Sequence, residues 1–74
     1  MEQFFLNLVK EVLEIENLEI NMDDDFRSLE VWDSLANLSL VAMIDDEFGV
    51  VIETQRFKEL KTFRDIFNEI EKTK

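Results

Sequence analysis

The sequence predicts an all-α fold, a small four-helix bundle with a long loop between helices 1 and 2. The 74 residues include no proline and a single glycine, so almost nothing in the chain disfavours helix. Apolar residues recur at spacings of three and four in several segments, which is the period of a helix with one buried face. The β-branched run at residues 50–52 has no second strand pattern to pair with. A chain of this length is predicted to form one domain, residues 1–74.

Helix 1 is predicted over residues 3–15. Its apolar side chains fall on one face: Phe5, Leu8, Val9, Val12 and Ile15. Glu11 and Glu14 fall towards the opposite face. We therefore expect a helix that faces the core.

Residues 16–33 show no sustained period and are predicted to form the long loop. A loop of this length is uncommon in a compact domain and is often functional. We expect its isolated apolar residues to anchor it to the bundle: Phe26, Leu29, Val31 and Trp32, with Ile20 and Met22. The loop also holds the acidic run at residues 23–25. A calcium-binding EF-hand loop beginning there would need glycine at Ser28 and glutamate at Ser34, so we predict a solvated, repelling charge run and no metal site.

Helix 2 is predicted to begin at Asp33, whose carboxylate can accept hydrogen bonds from the free N–H groups of the first turn. Its apolar stripe comprises Leu40, Val41, Ile44 and Phe48. Gly49 occupies the position of a left-handed C-terminal cap. Asp45 and Asp46, followed by Glu47, lie in the last turn, where the helix dipole disfavours negative charge. Acids placed against the dipole indicate a role in binding.

The rest of the chain completes the predicted bundle. Residues 50–52 are predicted to be an extended, buried connector, and residues 54–60 a short helix. Thr62 and Asp65 match a capping box, with aspartate in place of the usual glutamate or glutamine. The final helix should run to about Lys72 and turn four apolar side chains inward: Phe63, Ile66, Phe67 and Ile70. Lys72 and Lys74 suit the dipole at its C-terminal end.

The composition excludes several classes of function. Eighteen acidic against eight basic residues give a net charge of −10, which repels nucleic acid and anionic membranes and favours basic partner proteins. The chain has no histidine and no cysteine, so an enzyme is not expected. No apolar run approaches the roughly 20 residues that cross a bilayer, and the N-terminus has no basic signal segment. We expect a cytoplasmic protein, a monomer, without membrane insertion.

The tripeptide Asp33-Ser34-Leu35 contains the main candidate for chemistry. Taken alone it is a weak match, because an aspartate cap followed by a tolerated serine occurs by chance in many helices. Here Ser34 stands on the first turn of helix 2, at the end of the long loop. A phosphate on its hydroxyl would lie near free N–H groups and the positive end of the helix dipole. The position therefore favours a phosphodiester-linked arm.

These residues and their surroundings resemble the acyl carrier protein family over nearly the whole chain. The resemblance rests on Phe26, Leu29, the run Trp32-Asp33-Ser34-Leu35, residues 38–48, residues 49–52 and the run Thr62-Phe63-Arg64-Asp65. It implies a four-helix bundle of the acyl-carrier type in which Ser34 carries a covalent 4′-phosphopantetheine arm. It also implies that Asp33 helps to present Ser34 to a magnesium-dependent phosphopantetheinyl transferase.

The same resemblance implies the function of a carrier. An acyl group would be held as a thioester on the arm and delivered to biosynthetic enzymes, and the arm's own thiol explains why the chain needs no cysteine. Helix 2 would be the recognition helix for acyl-loading and acyl-accepting enzymes with basic docking surfaces. The implied docking residues are Leu35, Leu38, Asp45 and Asp46.

Two departures from the family pattern bear on the pathway. Val31 and Trp32 stand where a glycine is common, and Ala36, Asn37 and Ser39 stand where fatty-acid carriers have further acids. We therefore expect a specialised lipid, polyketide or surface-glycan pathway rather than the housekeeping fatty-acid carrier. Two alternatives stay open: a peptidyl or aminoacyl carrier, and an unmodified acidic protein-interaction domain.

Overall fold

Within residues 1–73, four α-helices and one short 3-10 helix make up the secondary structure. The computed structural model describes residues 1–73, and Lys74, expected at the end of the last helix, lies outside the described residues. The helices are α1 (Glu2–Val12), α2 (Ser34–Phe48), α3 (Thr54–Phe57) and α4 (Phe63–Thr73), with the 3-10 helix Phe26–Ser28 inside the long loop. Within residues 1–73 there is no β-strand, only an isolated bridge between Asp25 and Thr62. The predicted all-α, four-helix fold is confirmed.

α1 ends three residues earlier than the sequence predicts. Glu14 has a φ of 58°, in the left-handed region. Its N–H donates to the Glu11 carbonyl at 3.2 Å, and the Ile15 N–H donates to the Lys10 carbonyl at 2.8 Å. This pair of bonds is a Schellman motif in which glutamate takes the left-handed position usually occupied by glycine. The apolar period continues past the helix because Ile15 is buried after the turn.

The long loop is fixed to the start of α4 by backbone hydrogen bonds. The Phe26 N–H donates to the Lys61 carbonyl at 3.3 Å, and the Arg64 N–H donates to the Met22 carbonyl at 2.7 Å. Phe26 and Met22 are buried, as is Ile20. Their predicted role as anchors of the loop is therefore confirmed.

Each carboxylate of residues 23–25 accepts a hydrogen bond. Asp23 accepts from the Arg64 guanidinium at 2.8 Å. Asp24 accepts from the backbone N–H of Asn21 at 2.8 Å, and Asp25 from the backbone N–H of Arg27 at 2.9 Å. The run is largely exposed as the sequence predicts, with the Asp23 side chain 81% exposed, but its charge is partly offset by the ion pair with Arg64, which ties the loop to α4. Among residues 1–73, no group of three or more acidic side chains is placed to hold a metal ion.

The connector after α2 alternates between the core and solvent. Gly49 has a φ of 67° and its N–H donates to the Asp45 carbonyl at 2.9 Å, which confirms the predicted left-handed cap. Val50 and Ile52 are buried, whereas Val51 is 70% exposed. The prediction of a wholly buried connector is wrong for Val51, because successive side chains of an extended backbone point to opposite sides.

α3 is a single turn, Thr54–Phe57, shorter than the predicted helix over residues 54–60. The amide groups of Glu59 and Leu60 donate to carbonyl oxygens three positions back, at 3.0 and 3.1 Å. Such bonds tighten the chain into 3-10 geometry, so the α-helix stops although helical periodicity continues.

α4 begins with the predicted capping box. The Thr62 hydroxyl oxygen accepts a hydrogen bond from the Asp65 N–H at 3.1 Å. In return, Asp65 Oδ2 accepts from the N–H groups of Lys61 and Thr62, at 3.0 and 3.1 Å. These two amides hold the pKa of the Asp65 carboxyl below its ordinary value.

The apolar faces of the helices meet in one core, and α1 packs against both α2 and α4. The largest fully buried side chains are Phe5, Val9, Phe26, Leu40, Ile44, Phe63, Ile66 and Ile70. Arg56 links α3 to α4 through hydrogen bonds to Glu69 of 3.0 and 2.8 Å, and these bonds lower the pKa of the Glu69 carboxyl. No helix in the described part of the chain is long and apolar enough to cross a membrane.

Candidate functional site

Ser34 is the first residue of α2, and its side chain is exposed. Asp33 precedes it as the predicted N-cap: its carboxylate oxygen Oδ1 accepts a hydrogen bond from the Ala36 N–H at 2.8 Å. The amide groups of Ser34 and Leu35 make no hydrogen bond within residues 1–73. These free donors and the positive end of the helix dipole suit an anion attached to the Ser34 hydroxyl.

Trp32 fixes the end of the loop just before Ser34. The centroid of its ring lies 5.0 Å from that of Phe26 and 6.4 Å from that of Phe57, and it stacks on the latter at 19°. Because Trp32 turns towards the core, the preceding Val31 turns outward and is 40% exposed. The prediction that Val31 anchors the loop is therefore wrong.

Arg27 joins the loop to α3 and was not identified from the sequence. Its guanidinium donates hydrogen bonds to the carbonyl oxygens of Leu60 and Phe57, the latter at 2.8 Å. It also lies 4.6 Å from the centroid of the Phe26 ring. A cation at the C-terminal end of α3 satisfies carbonyl groups that the short helix leaves without partners. Nothing local in the sequence marks this contact, because it joins residues 30 or more positions apart.

An open depression of about 560 Å³ borders the Ser34 side chain. It is lined by Trp32, Asp33, Ser34, Asn37, Leu38 and Lys58. A narrower cleft of about 170 Å³ lies beyond it, between α2 and α3, and shares Asn37, Leu38 and Lys58 with the depression. Lys58 is not a candidate in the sequence, since it belongs to the end of α3 and reaches the site only through packing.

The four docking residues implied by the resemblance lie on the outward side of α2. Leu35 and Leu38 are 71% and 65% exposed, and Asp45 and Asp46 are also exposed. Their spacing of three, seven and one places them along one side of the helix. We call these four residues the outer stripe of α2. It is apolar near Ser34 and acidic about 15 Å further along the helix.

The acidic end of the outer stripe borders a groove between α1 and α2. This groove has a volume of about 800 Å³, and Glu11, Asp45, Asp46 and Glu47 contribute to its lining. None of the four carboxylates makes an ion pair with any residue of the described chain. The structure thus adds Glu11 of α1 to the acids singled out in the sequence.

The chain is similar in sequence to known proteins over nearly its whole length. A family model described as a phosphopantetheine attachment site matches residues 3–70. The acyl carrier proteins of two strains of Treponema pallidum, one of them strain Nichols, are each 37% identical over 70 residues, covering 90% of this chain and 90% of each relative. The acyl carrier protein homolog of Ureaplasma parvum serovar 3 is 28% identical over 68 residues, covering 88% of this chain and 87% of that relative.

Proposed function

The chain belongs to the acyl carrier protein family, whose attachment site takes phosphopantetheine, and from this premise we propose that Ser34 bears the 4′-phosphopantetheine arm. One observation carries the assignment: Ser34 is an exposed serine at the first position of a long helix, beside an open depression. The other two serines, Ser28 and Ser39, lie in the 3-10 turn and in the middle of α2.

The residues around Ser34 fit the arm and suggest how each would act. When bound, the arm supplies the thiol on which an acyl group is held as a thioester. Asp33 holds the first turn of α2 through its bond to the Ala36 amide, and so fixes the backbone that carries the exposed Ser34 side chain. We infer that this is how Asp33 presents Ser34 to the magnesium-dependent transferase. The protein itself acts as a carrier and not as a catalyst.

Incubation with a phosphopantetheinyl transferase and coenzyme A tests this proposal. We expect the intact mass to rise by one arm, and proteolytic mapping to place the added mass on the peptide that contains Ser34. The alternative, an unmodified acidic interaction domain, predicts no change of mass with any of several transferases. An arm on a different residue would also contradict the proposal.

We propose further that the outer stripe of α2 is the surface on which partner enzymes dock. Leu35 and Leu38 would supply apolar contact next to Ser34, and Asp45 and Asp46 would attract basic groups of the partner and set its register. Support comes from the position of the two aspartates in the last turn of α2, where they oppose the helix dipole. Because Asp45 and Asp46 lower the stability of the helix and form no ion pair within the described residues, a role in binding explains their presence better than a role in folding.

Replacing Asp45 and Asp46 together by lysine should lower the transferase kcat/KM by about tenfold at low salt, because attraction of basic partners is lost. The dependence of the rate on ionic strength should also become weaker. The helix should remain, since lysines near a C-terminus suit the dipole. The measurement is kcat/KM over a salt series, with circular dichroism to confirm folding.

A matched control is the double replacement Glu16→Lys and Glu19→Lys in the loop after α1. Both residues are exposed and make no ion pair within residues 1–73, and the variant changes the net charge by the same amount. We expect this control to keep most of the wild-type rate. Equal losses in both double variants would mean that net charge alone, and not the outer stripe, attracts the transferase.

We propose an acyl cargo in a specialised lipid, polyketide or surface-glycan pathway. Support comes from Ala36, Asn37 and Ser39, which leave the first turns of α2 without the acids typical of fatty-acid carriers. A peptidyl or aminoacyl cargo is the second candidate. Release of the thioester-bound group from cell-purified protein by hydroxylamine, followed by mass spectrometry, separates the two. A cytoplasmic location and a monomeric state stay predictions.

A further inference from the structure

Lys58 is an unpaired cation beside the proposed attachment site. The three arginines of this acidic chain are all engaged: Arg27 with carbonyl oxygens, Arg56 and Arg64 with carboxylates. The Lys58 ammonium, by contrast, makes no hydrogen bond and no ion pair to any of residues 1–73. Among the described residues, Lys58 is the one cationic side chain that lines the depression next to Ser34.

Attachment of the arm changes the electrostatics of this depression. The phosphodiester adds one negative charge next to Asp33 in a chain whose net charge is already −10. Asp33 cannot turn away from the new charge without losing its 2.8 Å bond to the Ala36 amide, which caps α2. The free amides of the first turn offset part of the repulsion. A cation that lines the same depression offsets more of it.

We propose that Lys58 pairs with the phosphodiester of the arm and so restrains the arm at the depression beside Ser34. The inference rests on the proposed attachment at Ser34 and assigns Lys58 as a positioning residue. Support comes from the lining of the depression, since Ser34 and Lys58 border the same open space.

The pair is exposed to solvent, which sets its strength. Lys58 lies on the surface and carries its charge on a flexible four-carbon stem. An exposed ion pair of this kind shifts an equilibrium by only about two- to fivefold and is screened by salt. It therefore restrains the arm without locking it, and a partner enzyme can draw the arm away at little cost.

Phosphorus NMR of the arm-bearing protein tests the pairing without any enzyme activity as readout. In the wild-type protein, the chemical shift and transverse relaxation rate of the phosphodiester should change with added salt as the pair is screened. In Lys58→Gln both should stay near their high-salt values at all salt concentrations, because the paired population falls by about two- to fivefold. Lys58→Arg should restore the wild-type behaviour.

The matched control is Lys61→Gln, which removes the same charge from an exposed lysine three residues away that does not line the depression. It should behave as wild type, so an effect of net charge alone is separated from pairing. If the arm is on Ser34 and its phosphorus signal in Lys58→Gln equals that of wild type at every salt concentration, the inference is overturned and the proposed function stands. If mass mapping finds no arm on Ser34, both are overturned.

Discussion

Ser34→Ala should abolish attachment of the arm and leave the fold intact. The Ser34 side chain is exposed and its hydroxyl makes no hydrogen bond within the described residues, so nothing in the structure depends on the removed oxygen. Alanine at the first position of a helix and on the surface should change the free energy of unfolding by about 0.5 kcal/mol or less. The intact mass should stay that of the unmodified chain after an incubation that converts the wild type fully.

The other two serines provide the controls for this experiment. Ser28 is exposed in the 3-10 turn, and Ser39 is half-buried in the middle of α2, away from the free amides of the first turn. Ser28→Ala and Ser39→Ala should both accept the arm at the wild-type rate. The assignment of Ser34 would be contradicted if Ser34→Ala gained the mass of the arm, or if either control failed to gain it.

The helices were predictable because their signals are local in the chain. Asp33 as N-cap, Gly49 as left-handed cap and the box formed by Thr62 and Asp65 each act within a few residues, and all three are confirmed. The predicted end of a helix was wrong where buried residues continue beyond the helix. Ile15 is one such residue, because the Schellman turn at Glu14 returns its side chain to the core.

Choices that depend on packing could not be predicted from the sequence. Val31 and Trp32 are adjacent and both apolar, and it is Trp32 that packs against the rings of Phe26 and Phe57, which are distant from each other in the sequence. The acidic run at residues 23–25 is another example: its sequence indicates unpaired charge, because Arg64, which binds Asp23, lies 41 positions away in the chain.

The candidate site likewise has one part that local sequence signals reveal and one part that depends on packing. Ser34 is recognisable because its cap and its helix start lie next to it in the sequence. The depression is not recognisable, since Lys58 comes from the end of α3 and carries no local signal of its own. The part of the proposed site that would specify attachment is therefore local in the sequence, whereas the part that would position the arm depends on tertiary packing.

Phe26→Ala should leave the protein largely unfolded at 25 °C. Phe26 is fully buried, and its ring centroid lies 5.0, 5.4 and 5.9 Å from those of Trp32, Phe57 and Phe63. Replacing a buried phenylalanine by alanine costs about 3–5 kcal/mol through lost burial and the cavity left behind. That loss is comparable to the whole net stability of a domain of this size, which is also about 3–5 kcal/mol.

The substitution should affect the site as well as the core, because Phe26 joins the two. Trp32, which sets the approach of the chain to Ser34, packs against this ring, and the Arg27 guanidinium lies 4.6 Å from its centroid. Folded molecules of the variant should therefore hold Ser34 less firmly. The transferase rate should fall by more than the unfolded fraction alone explains, which circular dichroism in the same buffer quantifies.

Phe4→Ala is the matched control, because it removes the same atoms from a different environment. Phe4 on α1 is 50% exposed and meets Phe48 edge-on, with ring centroids 6.3 Å apart. Its loss should cost about 0.5–1.5 kcal/mol, the range of a single aromatic pair. Circular dichroism measures the difference, from the folded fraction of Phe26→Ala in buffer without urea and from urea unfolding of Phe4→Ala and the wild type. Since the removed groups are identical, a gap of about 2 kcal/mol or more between the variants can only come from the burial of Phe26. Equal folded fractions of the two variants in buffer without urea would mean that the long loop is not part of the core, and that the approach to Ser34 is held by α2 alone.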